Sequence, residues 1–127
     1  MATKNHELTK AEWEIIEVVW EHQPCAAPTV QEELEARKKW TYSTVKTLMD
    51  RMVVKGLLTT ERLRNLILYT AAITRGQAQK GELAKTLARA FGGAFTPMMQ
   101  FMLDSNALSQ RELNELETLI RKKRRRA

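Results

Sequence analysis

The chain has 127 residues with one cysteine, two histidines and five glycines, which excludes an internal disulfide framework and leaves little material for a metal cluster or a phosphate-cradling loop. Its 21 Lys and Arg against 15 Asp and Glu leave a net charge of +6, the first positive indication of an anionic partner. No apolar run reaches the roughly 18 residues that span a bilayer, and the opening MATKNHELTKAEWE has no stretch of signal-peptide type, so a cytoplasmic protein with no membrane insertion is expected.

The charge is unevenly placed. Residues 1–36 carry two basic and eight acidic side chains, whereas residues 37–75 carry nine basic ones against Asp50 and Glu61. Residues 76–127 add ten basic and five acidic, with Arg121 to Arg126 an unbroken run. An acidic leading segment followed by a basic middle is the pattern of a one-sided polyanion-binding surface.

The first element opens at Thr9, where Thr9 and Glu12 form a capping box, and Trp13, Ile16, Val19 and Trp20 follow helical spacing up to the stop at Pro24. A second, short helix is expected with Thr29 as its cap, Glu32 closing a box, and an end near Arg37. Thr41 caps a third, with Val45, Leu48, Met49 and Met52 on one face and Gly56 as the stop. Leu57–Glu61 and Leu66–Ala71 then read as a two-stranded antiparallel ribbon joined by a basic turn, Arg62-Leu63-Arg64-Asn65.

From Thr74 the pattern is helical again. Leu83, Leu87 and Phe91 form one stripe up to Gly92-Gly93, and Phe95, Met98, Met99 and Met102 a second. Ser109 and Glu112 cap a third helix whose apolar face holds Leu113, Leu116, Leu119 and Ile120. Three helices of this size bury their own stripes poorly, so these residues are expected to pair with a second copy as a homodimer.

Three helices followed by a ribbon is the order of a winged helix-turn-helix, so the fold class expected is mostly α, with a winged helix over 1–75 and a three-helix dimerisation domain over 76–127. The third helix would enter the major groove of double-stranded DNA. With its apolar face inward, it presents Tyr42, Ser43, Thr44, Lys46, Thr47, Asp50 and Arg51, small hydroxyls and cations that approach base edges and phosphates. Lys55, Arg62 and Arg64 extend the basic strip toward the ribbon, where phosphate contacts set position rather than sequence.

These residues resemble a known family. Leu8-Thr-Lys-Ala-Glu-Trp-Glu-Ile-Ile, Val19-Trp20, Trp40-Thr-Tyr-Ser-Thr-Val-Lys-Thr-Leu-Met, Lys55-Gly-Leu-Leu, Gly92-Gly93 and Leu108-Ser-Gln-Arg-Glu-Leu are similar to the penicillinase repressors, which include methicillin-resistance and copper-responsive repressors. The resemblance implies a dimer that represses by binding dyad operators, with Ser43, Thr44, Lys46 and Thr47 at bases or nearby phosphates. Two departures stand out. Copper-responsive members carry a Cys-rich tail, and here residues 121–126 are all Arg or Lys. The β-lactam-responsive members are cut at an Asn-Phe bond by a membrane sensor protease, and the matching stretch here reads Met99-Gln100-Phe101-Met102, without that pair.

Other chemistry is weakly signalled. Cys25 has no cation near it in sequence and reads as structural. His6 and His22 lack metal-type partners, Glu12, Glu14, Glu17 and Glu21 read as the solvated flank of the first helix, and no catalytic constellation or cofactor site emerges. Trp13 and Trp20 read as core, and Trp40 as packing beneath the third helix. The competing function is a nonspecific or architectural nucleic-acid binder driven by the basic run at 121–126, and a third is a protein-interaction adaptor.

Overall fold

The computed structural model describes residues 7–126, so His6 and Ala127 lie outside the described residues. Helices α1 (Lys10–His22), α2 (Ala27–Lys38) and α3 (Tyr42–Val54) precede strands β1 (Leu58–Leu63) and β2 (Leu66–Ala71). Helices α4 (Arg75–Phe91), α5 (Phe95–Asp104) and α6 (Gln110–Arg126) follow. The fold is a winged helix with a helical segment after it, as expected from the order of elements.

The α1 capping box forms: the Glu12 amide donates to Thr9 Oγ1 at 3.2 Å and the Thr9 amide to Glu12 Oε1 at 2.9 Å. Glu12 is nevertheless 5% exposed, which corrects its assignment to a solvated flank. Helix α2 also corrects its expected start. It opens at Ala27, capped by Ala26 with no side-chain hydrogen bond, and Thr29 already lies inside it. Pro28 explains the early start, because proline fits the first turn, where its missing amide leaves no bond unmade. Helix α3 is capped by Thr41, whose hydroxyl accepts from the Thr44 amide at 3.1 Å. It ends where Gly56 takes φ 86, a conformation that side chains resist.

Ile15, Ile16 and Val19 of α1, Val30 and Leu34 of α2, and Val45, Met49 and Met52 of α3 are fully buried together. Leu57, Leu58 and Tyr69 close this core from the ribbon, and Trp13, Trp20 and Trp40 pack against its rim. Trp20 Nε1 donates to the Ile73 carbonyl at 3.0 Å, which satisfies its polar tip.

The ribbon is longer than expected. Arg62 and Leu63 belong to β1, Leu63 pairs with Leu66, and the turn shrinks to Arg64 and Asn65, with Arg64 at φ 59. The Cys25 and Tyr69 backbones exchange hydrogen bonds of 3.1 and 2.7 Å, a bridge that fastens the α1–α2 connection to β2.

The chain forms two compact units, residues 1–85 and 86–127. The first half of α4 belongs with the winged helix: Ala78 is buried, Trp13 Nε1 donates to Glu82, and Lys85 Nζ donates to the Leu8 carbonyl. A reciprocal box starts α4, with the Gln77 amide donating to Thr74 Oγ1 and the Thr74 amide to Gln77 Oε1.

In the second unit, Gly92 at φ 58 and Gly93 at φ 85 end α4, and the Gly93 amide reaches back to the Leu87 carbonyl at 3.0 Å. Ser109 and Glu112 cap α6 reciprocally. Met99, Met102, Leu108, Leu116 and Leu119 line a largely apolar cleft of about 270 Å³ between α5 and α6. Met98 is buried, while Phe95, Phe101, Leu103, Leu119 and Ile120 stay exposed in a single copy. The basic run at 121–126 is a continuation of α6 and not an irregular tail. No helix among the described residues is long and apolar enough to cross a membrane.

Candidate nucleic-acid interface

Burial of Val45, Met49 and Met52 turns the opposite side of α3 outward. Tyr42, Ser43, Thr44 and Thr47 are exposed there, and Lys46 is half-buried beside them. Tyr42 and Lys46 also border the ribbon: with Ala27, Pro28, Leu66 and Tyr69 they line a cleft of about 150 Å³ between α3, β2 and the start of α2. The amino end of α3 and the second ribbon strand thus form one continuous surface.

The basic residues of the middle segment divide into three sets. Arg37 and Lys38 pair with Glu14 at 2.6 and 3.8 Å, Lys55 with Glu12 at 2.6 Å, and Arg75 with Glu17 at 2.7 Å. Arg75 also lies over the Trp20 ring, 4.6 Å from its centroid. Three carboxylates of α1, Glu12, Glu14 and Glu17, therefore engage four of these nine cations, with Glu14 shared between Arg37 and Lys38. Lys39, Arg51, Arg62 and Arg64 have no acidic partner among the described residues and are exposed. Lys39 was not singled out in the sequence as an interface residue. It sits at φ 55 as the exposed C-terminal cap of α2, its amide donating to the Glu35 carbonyl.

Lys46 has a third kind of environment. Its ammonium donates to Asp50 Oδ2 at 2.7 Å and lies 6.0 Å from the centre of the Tyr69 ring. The Tyr69 hydroxyl donates to the other carboxylate oxygen, Asp50 Oδ1, at 2.7 Å. Burial pushes the Asp50 carboxyl up, but the hydrogen bonds from Lys46 and Tyr69 outweigh it and leave it below its ordinary value. The Asp50 hydrogen bond raises Lys46, while burial and then the Asp50 hydrogen bond raise Tyr69. All three groups therefore hold their neutral-pH forms over a wider range than isolated side chains do. The sequence placed Asp50 on this face; its link to Tyr69 across 19 residues had no local signal.

The remaining chemistry is structural. Cys25 is buried, which pushes its thiol pKa up and lowers its reactivity. His22 Nε2 lies 3.8 Å from Glu21 and 3.7 Å from Glu33 at the end of α1. No group of three or more His, Cys, Asp or Glu suited to a metal ion occurs among the described residues. The Met99-Gln100-Phe101-Met102 stretch lies within α5, with Phe101 65% exposed.

The chain as a whole is similar to known proteins. The chain is 24% identical over 123 residues to the methicillin resistance regulatory protein MecI of Staphylococcus aureus strain N315, covering 97% of this chain and all of that one. It is 26% identical over 114 residues to the penicillinase repressor of Bacillus licheniformis, covering 90% and 89% of the two chains. Among solved structures, the DNA-binding domain of the repressor BlaI matches with a TM-score of 0.52 and 26% identity, over 61% of this chain and 93% of that one. The penicillinase repressor family profile matches residues 8–122, and the chain belongs to that family.

Proposed function

We propose that this protein is a sequence-specific, DNA-binding transcriptional repressor that acts as a homodimer on dyad operators in the cytoplasm, and not an enzyme. The observation that carries this reading is the exposed hydroxyl-and-lysine face of α3 set beside a ribbon whose Arg62 and Arg64 have no acidic partner among the described residues. In this arrangement Ser43, Thr44, Lys46 and Thr47 read base edges, while Arg51, Arg62 and Arg64 hold phosphates. Residues 1–75 supply the DNA contact. Residues 76–127 supply the pairing, through the apolar faces of Leu83, Leu87, Phe91, Phe95 and the α5–α6 residues that a single copy leaves partly uncovered. The relatives support the reading by name: one is a penicillinase repressor, another a methicillin resistance regulatory protein, and a similar solved structure is the DNA-binding domain of a repressor.

The test is selection of binding sites from fragmented genomic DNA by the purified protein at about physiological salt. Enrichment of a dyad sequence is expected; uniform recovery of fragments overturns the reading. A second reading, charge-driven nonspecific binding, is favoured by one observation: Lys122 to Arg126 end α6 with no acidic partner among the described residues. Deleting residues 121–127 separates the two. A repressor keeps its operator preference, whereas a binder driven by that run loses most of its affinity.

A further inference from the structure

An acidic residue in the middle of a surface built for a polyanion needs a reason. Asp50 lies on the same exposed side of α3 as Thr47 and Lys46, with its side chain 52% exposed, and its charge opposes phosphate. Ordinary helix stabilisation is a weak explanation. The favourable order for an i,i+4 pair puts the acid toward the amino end, and here Lys46 precedes Asp50. A pair that served only α3 would also involve no other element. This one is gripped from outside the helix by the hydroxyl of Tyr69, a fully buried residue whose backbone is in turn locked to Cys25.

The geometry constrains the lysine ammonium on two sides. Asp50 Oδ2 takes one of its three donors, and the Tyr69 ring bounds a second side at 6.0 Å. Lys46 lines the open cleft it shares with Tyr42 and Leu66. A free lysine on a flexible stem is a mobile point charge that serves any phosphate. A lysine held this way is a directed hydrogen-bond donor whose charge is already neutralised.

We propose that Asp50, held by the Tyr69 hydroxyl, is a positioning and specificity-determining residue: it fixes the Lys46 ammonium on the DNA-facing side of α3 and cancels its charge, so that Lys46 serves recognition of the operator rather than general affinity for phosphate. The inference rests on the reading that α3 faces DNA. It divides the basic residues of this surface by role: Arg51, Arg62 and Arg64 supply counterion release, and Lys46 supplies selectivity.

The experiment measures affinity over a salt series for two duplexes, the dyad enriched by the parent protein and a scrambled duplex of the same composition. Asp50→Asn uncovers the Lys46 charge. Binding to the scrambled duplex is expected to become steeper in log salt by about 0.9 per protomer, roughly a 3.5-fold larger loss per protomer between 50 and 200 mM salt. The dyad-to-scrambled ratio falls at the same time. Tyr69→Phe leaves every charge in place, so the slope holds while the ratio falls. Asp50→Glu restores the slope. Circular dichroism and thermal melts confirm that each variant is folded. An unchanged slope for Asp50→Asn on the scrambled duplex, or an unchanged ratio for Tyr69→Phe, overturns the proposal. Equal affinity of the parent for the two duplexes instead sinks the repressor reading, and the slope on the scrambled duplex still reports whether Asp50 masks Lys46.

Discussion

The Tyr69 hydroxyl donates to Asp50 Oδ1 at 2.7 Å, so the carboxylate that holds Lys46 on α3 is itself held from β2. Asp50 favours the neutral-pH forms of both Lys46 and Tyr69 and is itself held ionised by their hydrogen bonds, and this fixes the pH range over which the network contributes. Asp50 is depressed below its ordinary 3.8, so its contribution is complete above that value and is lost as pH falls through the lower folded value. Tyr69 and Lys46 are raised above 10.0 and 10.5, so theirs is complete below those values and is lost as pH rises through the folded ones. Tyr69→Phe is expected to lower stability by about 1 kcal/mol at neutral pH. The difference from the parent should stay flat from about pH 5 to 9 and narrow beyond both ends. Urea unfolding across pH measures it, and a difference that varies within the neutral range contradicts the assignment.

Glu12 caps α1 through one oxygen and binds Lys55 through the other, at 2.9 and 2.6 Å. Glu12→Ala removes both, and the expected loss is about 2 kcal/mol, at the upper end for an N-terminal cap. Glu12→Gln keeps the oxygen that accepts from Thr9 and should retain about half of that stability. Denaturant midpoints of the two variants decide it, and equal losses would show that the cap contributes nothing.

The ribbon arginines should report on DNA through salt. Arg62→Ala and Arg64→Ala are each expected to flatten the log–log salt dependence by about 0.9 per protomer. Arg64→Gly adds a distinction, because glycine accepts φ 59 without the cost that a side chain incurs. That variant should be at least as stable as the parent and still bind DNA less tightly. Affinity equal to the parent's would place the ribbon turn away from phosphate.

Phe95 and Ile120 are 54% and 57% exposed in a single copy. Changing both to Glu leaves the core of one copy intact and charges the face assigned to pairing. Sedimentation equilibrium should show monomers, and affinity for a dyad should fall about a hundredfold or more as the two half-sites are no longer bound together. A dimer that persists would move the interface elsewhere.

Much of the architecture was legible because it rests on short-range chemistry. The caps at Thr9, Thr41 and Ser109, the glycine stop after α3 and the helical spacing of Val45, Met49 and Met52 all involve groups within a few residues of one another. The Thr29–Glu32 box pattern does not cap α2, because Pro28 suits a first turn and puts the start of the helix at Ala27. The ribbon turn is shorter than its composition suggests: Arg62 and Leu63 look like loop residues, but pairing with Ile67 and Leu66 keeps them in β1.

The sequence by itself determined the helix faces, the ribbon, the basic character of the middle segment and the residues at the exposed start of α3. Only the tertiary structure decided which of those charges are free. Lys55 meets Glu12 across 43 residues and Arg75 meets Glu17 across 58, while Lys39, Arg51, Arg62 and Arg64 have no acidic partner among the described residues. The physical reason is that an ion pair acts over a few ångströms of space and has no memory of chain separation. Counting charges along the segment therefore overstated the cations open to DNA, and packing α1 against α2, α3 and the start of α4 set their number.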